Sequence, residues 1–219
     1  MVALKSSLQA YLFRGFDDAQ MKEAVAQFRK RLFVDCLGWS LAVTGEQEID
    51  EFDLPNTVYA ALSADGGLVG SFRAIRADHP YLAERVFPDL ATTRPYPKRP
   101  DVWEISRFGV MPGPDRRPAA DVLYALMFQF ALMRRAKALV AITDLFHERQ
   151  LSHRGIRTRR YGKPKPYGFD RRNRPMTLVA GEIPVEGQDE ARLRDLLSTL
   201  NGVTINDQTL VFGRTRIQA

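Results

Sequence analysis

The chain has 219 residues, 45% of them hydrophobic and 26% charged, proportions that exclude a disordered or fibrous protein. The only cysteine, Cys36, leaves no partner for an internal disulfide and favours a reducing compartment. A net charge of +6 suggests an acidic partner, although a charge that only confers solubility is an equal alternative. No apolar stretch is long enough to cross a membrane. We therefore predict a cytoplasmic protein with one domain, residues 1–219, and no membrane partner.

Helical and strand-forming segments alternate along the chain. Asp17 or Asp18 can cap a first helix that ends at about residue 37. Two segments of strand formers, 57–64 and 68–77, flank a turn at 65–67 and predict a hairpin. The remaining predicted elements are a strand over 102–110, a helix over 119–136, a strand over 139–143, a helix to about residue 154, a strand over 176–183 and a helix over 190–200. This order predicts an α/β fold with a mixed sheet flanked by helices.

The first helix brings an arginine next to aromatic side chains. Arg29 and Phe33 are four residues apart and share a helical face, and Trp39 follows just past the helix end. Such a group could bind a ligand that carries both charge and apolar bulk. A snorkelling arginine beside ordinary core aromatics would give the same pattern.

Carboxylates crowd the segment 46–53 of this otherwise basic chain. A charged run is usually solvated surface. Here Asp50 and Asp53 follow closely after Trp39, and carboxylates near an aromatic face suit a cationic small molecule. The sequence therefore predicts either a surface loop or part of a cation site.

The strand over 102–110 contains three polar residues that are costly to bury without partners. Strict alternation places Glu104, Ser106 and Phe108 on one face and Arg107 on the other, unless a β-bulge shifts the assignment. A cross-strand ion pair between Glu104 and Arg73 would be a purely structural explanation.

Taken together, these motifs resemble the acyl-homoserine-lactone synthases, the autoinducer synthases of quorum sensing. The likeness extends from about residue 25 to 110 and depends on the order and spacing of five motifs rather than on any one of them. They are Arg29-x3-Phe33-x5-Trp39, Glu48-x-Asp50-x-Phe52-Asp53, Gly70-x2-Arg73, Val86-Phe87-Pro88-Asp89-Leu90 and Glu104-Ile105-Ser106-Arg107-Phe108.

The resemblance implies a fold similar to the N-acetyltransferases, with a V-shaped cleft in the sheet for an acyl chain. It also implies a reaction in which the amine of S-adenosylmethionine takes an acyl group from a thioester, and the product closes to a lactone and releases methylthioadenosine. S-adenosylmethionine is then a substrate, and no tightly bound cofactor or metal is expected. The residues assigned to catalysis are Glu104 as base, Ser106 and Arg107. Those assigned to S-adenosylmethionine are Arg29, Phe33, Trp39, Asp50, Asp53, Arg73 and Phe108.

The acyl donor is expected to be an acyl carrier protein or acyl-coenzyme A. Thr143 resembles a family position in the acyl-chain pocket, where a threonine accompanies 3-oxo-acyl chains. Basic residues crowd about twenty positions after the helix that ends near residue 154, and the resemblance implies that an acidic carrier protein docks there. Four of them are assigned to donor docking: Arg154, Arg157, Arg159 and Lys163. The same run includes Arg171, Arg172 and Arg174.

Two other functions remain open at this stage. An acyltransferase of similar fold could acylate another amine from coenzyme A, and it would release no methylthioadenosine. A basic nucleic-acid-binding module could use the same cationic run, but the chain has no recognisable nucleic-acid-reading motif. The three histidines are too dispersed for a metal site.

Overall fold

The computed structural model describes residues 8–114, 116–169, 173 and 175–210. Within these residues nine strands form one mixed sheet in the order β11-β1-β4-β5-β6-β7-β10-β8, with β9 also paired to β10, and β2 and β3 form a separate pair. The strands are β1 (Gln9–Arg14), β2 (Val43–Thr44), β3 (Gln47–Glu48), β4 (Val58–Ala64), β5 (Gly67–Arg76), β6 (Val102–Val110), β7 (Ala138–Asp144), β8 (Arg159–Arg160), β9 (Lys165–Phe169), β10 (Pro175–Pro184) and β11 (Thr204–Asp207).

Five α-helices flank the sheet in the described part of the chain. They are α1 (Ala19–Arg29), α2 (Leu82–Val86), α3 (Arg116–Met133), α4 (Leu145–His153) and α5 (Glu190–Ser198). The largest hydrophobic cluster packs one face of the sheet against α3 and α5, and a second cluster lies beneath α2 on the other face. The predicted α/β fold with a mixed sheet is therefore confirmed. In this part of the chain, every helix is too short or too polar to cross a membrane.

The first helix begins and continues much as its sequence predicts. The Asp18 carboxylate accepts the backbone N–H of Met21 at 2.9 Å and caps α1. After Arg29 the helix widens into π-helical turns over Lys30–Cys36. Gly38 follows with a φ of +72°, a left-handed conformation that glycine adopts at little cost. Wide π turns are frequent at functional sites, and this one carries Phe33.

The predicted hairpin is also confirmed. β4 and β5 are antiparallel neighbours, and Asp65 and Gly66 between them have φ values of +50° and +79°. Two successive residues with positive φ match the right-handed twist of the flanking strands.

The sheet splits between β6 and β7. These parallel strands pair only from Val102 opposite Ala138 to Glu104 opposite Val140. Beyond that point β6 stays paired with β5, while β7 continues with β10 as far as Asp144. The two halves of the sheet therefore separate just after Glu104, which confirms the expected V-shaped cleft.

Candidate active site

A network of three arginines and three carboxylates lies between α1 and the β5–β6 pair. Its formal charges cancel, and its members are Arg29, Arg73, Arg107, Glu48, Asp50 and Asp53. Five of the six side chains are at most 8% exposed, and Asp50 is 16% exposed. Opposite charges that are buried need this degree of mutual pairing, because leaving one of them alone costs several kcal/mol.

Arg29 uses all three guanidinium nitrogens inside the network. Its Nε donates to Glu48 at 2.6 Å, and its two terminal nitrogens donate to Asp53 at 2.6 and 3.0 Å. Burial by itself disfavours the charged guanidinium, but the hydrogen bonds and charges of Asp53 and Glu48 outweigh burial and raise the pKa of Arg29. A substrate carboxylate could reach Arg29 only by displacing one of these two partners.

Asp53 accepts five hydrogen bonds. Besides the two from Arg29, it accepts from Arg73 at 3.2 Å, from the Tyr59 hydroxyl at 2.8 Å and from the backbone N–H of Asp50 at 2.8 Å. Burial tends to raise the pKa of the Asp53 carboxyl, but the bonds and charge of Arg29 and the charge of Arg73 hold that pKa well below its usual range. Asp53 is therefore ionised and fixed.

Arg107 reaches the network because of a β-bulge. The β5–β6 register shifts between Ser71 and Arg73, and Arg107 has a φ of +51°. Its guanidinium donates twice to Glu48, at 3.1 and 2.9 Å, and once to Asp50 at 2.9 Å.

The prediction from strict alternation is therefore wrong beyond Ser106. Arg73 donates from Nε to the Ser106 hydroxyl at 3.0 Å and from Nη1 to Asp50, so Ser106 and Arg107 share one face. Phe108 is turned to the α3 face, where its ring stacks on Tyr124 at 4.5 Å. An extra residue in one strand of a pair has this effect, and alternation alone cannot reveal it.

Phe33 and Trp39 form an aromatic pair beside the network. Their rings stack with centroids 4.9 Å apart. Phe33 is buried, whereas Trp39 is 42% exposed. Gly109 makes this packing possible, because a Cβ there would come within 2.5 Å of Leu32 and 3.1 Å of Phe33.

Glu104 lies where the cleft opens and is only 1% exposed. Its carboxylate accepts the backbone N–H groups of Ala83 at 2.6 Å and Leu82 at 3.1 Å. Burial raises the pKa of Glu104 to about 7, against the opposing effect of these amides and of the Arg73 charge. Within the described residues Glu104 makes no ion-pair contact with Arg73, so backbone amides of α2 are its partners instead. A carboxyl with this pKa can take up a proton near neutral pH.

The residues assigned to the acyl chain and to donor docking lie away from Glu104 and the charge network. Thr143 lies opposite Val179 of β10, three positions beyond the end of the β6–β7 pairing. Arg154 is committed to an ion pair with Asp121 at 2.8 Å, and its guanidinium covers the Tyr124 ring.

The other three docking candidates are exposed. Arg157 also donates to the carbonyl of Gly187 at 2.9 Å, and the backbone carbonyl of Arg159 in β8 accepts from Arg94 at 3.0 Å. Arg171, Arg172 and Arg174 lie outside the described residues.

Two members of the site were missed by the sequence interpretation. Glu48 lies within one of the motifs but was given no role. Its position two residues before Asp50 was a signal, because side chains two apart in an extended segment share a face. Tyr59 had no such signal, because its link to Asp53 depends on sheet packing. Among the described residues, no group of three or more histidine, cysteine, aspartate or glutamate side chains is placed to hold a metal ion.

The geometry can be compared with known proteins. A family model described as autoinducer synthase matches residues 14–192. The chain belongs to the autoinducer synthase family. It is 36% identical over 154 residues to the acyl-homoserine-lactone synthase of Ralstonia nicotianae, covering 66% of this chain and 76% of that one. It is 31% identical over 169 residues to the acyl-homoserine-lactone synthase of Pseudomonas aeruginosa, covering 76% and 80%.

A solved structure supports the same assignment. The crystal structure of TofI in a ternary complex with an inhibitor and MTA superposes with a TM-score of 0.72 at 28% identity, over 85% of this chain and 96% of that one. The prediction of an acyl-homoserine-lactone synthase in an N-acetyltransferase-like fold is thus confirmed, and the activity is an acyl transfer.

Proposed function

We propose that this acyl-homoserine-lactone synthase uses Glu104 as the base that takes a proton from the amine of S-adenosylmethionine. The observation that supports this role is a buried carboxylate at the opening of the cleft, with two amide donors and a pKa near neutrality. The freed amine nitrogen attacks the thioester carbonyl carbon and the carbon–sulfur bond of the thioester breaks. The nitrogen then loses a second proton, which passes to the leaving sulfur, so that the products are an amide and a thiol. In this proposal Ser106, whose hydroxyl accepts from Arg73 at 3.0 Å, orients the amine or a bridging water.

The lactone forms in a second step. The substrate carboxylate attacks the methionyl carbon next to the sulfonium, the carbon–sulfur bond breaks, and methylthioadenosine leaves as a neutral thioether. This step needs little help from an acid or base. A folded substrate chain held in near-attack geometry supplies most of the rate gain.

S-adenosylmethionine binds, in this proposal, against the exposed ring of Trp39 and beside Asp50. Asp50 is the most exposed acid of the network, and the bonds to Arg73 and Arg107 fix its carboxylate. It can therefore receive a cation without rearrangement. Three almost fully buried side chains pack beneath this surface and support it: Arg29, Phe33 and Asp53.

The acyl chain enters the cleft on the face that carries Phe108, and Thr143 lies along its path. The donor is an acyl carrier protein or acyl-coenzyme A. Exposed Arg157, Arg159 and Lys163 would attract an acidic carrier protein. We also propose one synthase domain over residues 1–219, because one sheet joins strands from Gln9–Arg14 to Thr204–Asp207. We propose a cytoplasmic location, because S-adenosylmethionine and acyl thioesters are produced inside the cell.

Replacement of Glu104 tests the central claim. Glu104→Gln keeps the shape of the side chain but cannot accept the proton, so turnover should fall by about 100-fold or more. Glu84→Gln is the matched control, because Glu84 lies on adjacent α2 and pairs with Lys98 at 2.7 Å instead of facing the cleft residue Glu104. Lactone and methylthioadenosine are quantified by mass spectrometry, and S-adenosylmethionine binding by calorimetry. Undiminished turnover in Glu104→Gln would remove Glu104 from the base role.

A further inference from the structure

The carboxylate of Glu104 is held by a helix that has little stability of its own. Both amides come from the first two residues of α2, which is only five residues long. A helix this short does not persist without tertiary contacts. The contacts that fix the start of α2 therefore also determine how its amides point at Glu104.

Tyr81 makes the nearest such contact. It directly precedes Leu82 and is fully buried. Its hydroxyl donates to the backbone carbonyl of Pro97 at 2.8 Å. Pro97 belongs to the segment 94–99, which we call the strap. The family motifs and the proposed mechanism give no role to Tyr81 or to the strap.

The strap is itself anchored to the far half of the sheet. The Arg94 guanidinium stacks 3.9 Å above the Tyr161 ring and pairs with Glu182 of β10 at 3.0 Å. It also donates to the backbone carbonyls of Arg160 and Arg159 in β8, at 3.3 and 3.0 Å. The Pro97 carbonyl is therefore a fixed acceptor rather than part of a loose loop.

We propose that Tyr81 is a positioning residue, whose bond to the strap aims the Leu82 and Ala83 amides at Glu104 and so sets the proton affinity of the base. This inference depends on the base role of Glu104 proposed above. Tyr81 does not touch the substrate in this scheme; it acts through the backbone of α2.

The other groups that face Glu104 keep their contacts when only the Tyr81 hydroxyl is removed. They are Arg73 from β5, Asp50 from the loop after β3, and the Tyr96 side chain from the strap. The Tyr96 ring packs edge to face against the Tyr81 ring, with centroids 6.3 Å apart, and phenylalanine at position 81 retains that contact. Arg73 and Asp50 are bound to each other within the network. From β7, Val140 lies opposite Glu104 and is apolar. Loss of the Tyr81 hydroxyl should therefore weaken the two amide bonds while leaving these charges in place.

The direction of the expected change in the pKa of Glu104 follows from the weakened amide donors. Backbone N–H donors favour the ionised carboxylate, so weakening them raises the pKa of Glu104 above its value of about 7. The base is active when ionised, and the acid limb of the kcat/KM profile should therefore move to higher pH. We expect a shift of about 0.5–1 pH unit in Tyr81→Phe, which is a loss of about 3- to 10-fold on the acid side and recovery toward wild type on the alkaline side.

The experiment compares kcat/KM between about pH 6 and pH 9 for wild type, Tyr81→Phe and Tyr96→Phe. Tyr96 is the matched control, because its hydroxyl donates at 2.9 Å to the Phe87 carbonyl at the other end of α2. Tyr96→Phe should lose thermal stability without moving the acid limb. Arg94→Met removes the side-chain bonds from the strap to β8 and β10 without changing the sequence of α2, and should give a smaller shift in the same direction.

Three results would overturn the inference. They are an unshifted acid limb in Tyr81→Phe, a loss of the same size at every pH, and an equal shift in Tyr96→Phe. If wild type is active and Glu104→Gln is not, an unshifted acid limb in Tyr81→Phe contradicts the positioning role of Tyr81 but leaves the base role of Glu104 intact. If Glu104→Gln retains turnover, the base role and this inference fail together.

Discussion

Asp53→Asn is expected to destabilise the fold, because Asp53 is the most heavily hydrogen-bonded member of the charge network. Its carboxylate accepts five hydrogen bonds and its side chain is 2% exposed. The substitution changes the network from neutral to one excess positive charge while keeping nearly the same volume. Arg29 then faces an amide that can accept only through its oxygen.

The magnitude follows from the cost of leaving a buried charge without its partner. Removing one member of a buried pair costs about 3–5 kcal/mol. Asparagine keeps one acceptor, so we expect about 3 kcal/mol, or a fall in Tm of about 6–12 °C for a chain of this size.

The loss of stability in Asp53→Asn should also depend on pH. Since the pKa of Asp53 is depressed in the folded protein, its stabilisation is present above the unfolded pKa of about 4 and is lost as the pH falls below it. The difference in Tm between wild type and variant should therefore be full at neutral pH and shrink in acid.

Thermal and urea denaturation at neutral and acidic pH would measure both effects. Asp78→Asn is the control, because Asp78 pairs with Arg76 at 2.7 Å but is 29% exposed. Exposed pairs contribute less than about 1 kcal/mol. An Asp53→Asn variant whose Tm at neutral pH stays within about 2 °C of wild type would refute the view that this network is structural.

Two further predictions concern the substrates. Trp39→Ala should weaken S-adenosylmethionine binding in calorimetry with little loss of stability, because the ring is 42% exposed; unchanged affinity would exclude Trp39 from the site. Arg157→Glu combined with Lys163→Glu should raise the KM for an acyl carrier protein more than kcat changes. That effect should fade with salt, since exposed charges act over a Debye length of about 8 Å at physiological ionic strength, and a loss of kcat that salt does not alter would contradict it.

Local sequence signals were sufficient for the elements that local interactions form. Asp18 capped the first helix, and the Asp65-Gly66 turn joined two strands, as residue chemistry predicts. The ordered motifs also identified the family. They singled out five of the six residues of the charge network, although as substrate-binding or catalytic residues and not as partners of one another. By contrast, the edge of the sheet was missed. β1 pairs in parallel with β11, so Gln9 lies opposite Thr204, and no local pattern connects residues so far apart in sequence.

Only the tertiary structure decided which side chains face one another in the site. The bulge at Arg107 moved that arginine into the network and turned Phe108 to the opposite face. The sequence also left open whether Glu104 would pair with Arg73 or with backbone amides, because either partner would satisfy a buried carboxylate. Packing settled that question by bringing the start of α2 within hydrogen-bonding distance of Glu104 and by committing Arg73 to Asp50. Residue type determines what a buried charge requires, whereas the long-range packing of the chain determines which group supplies it.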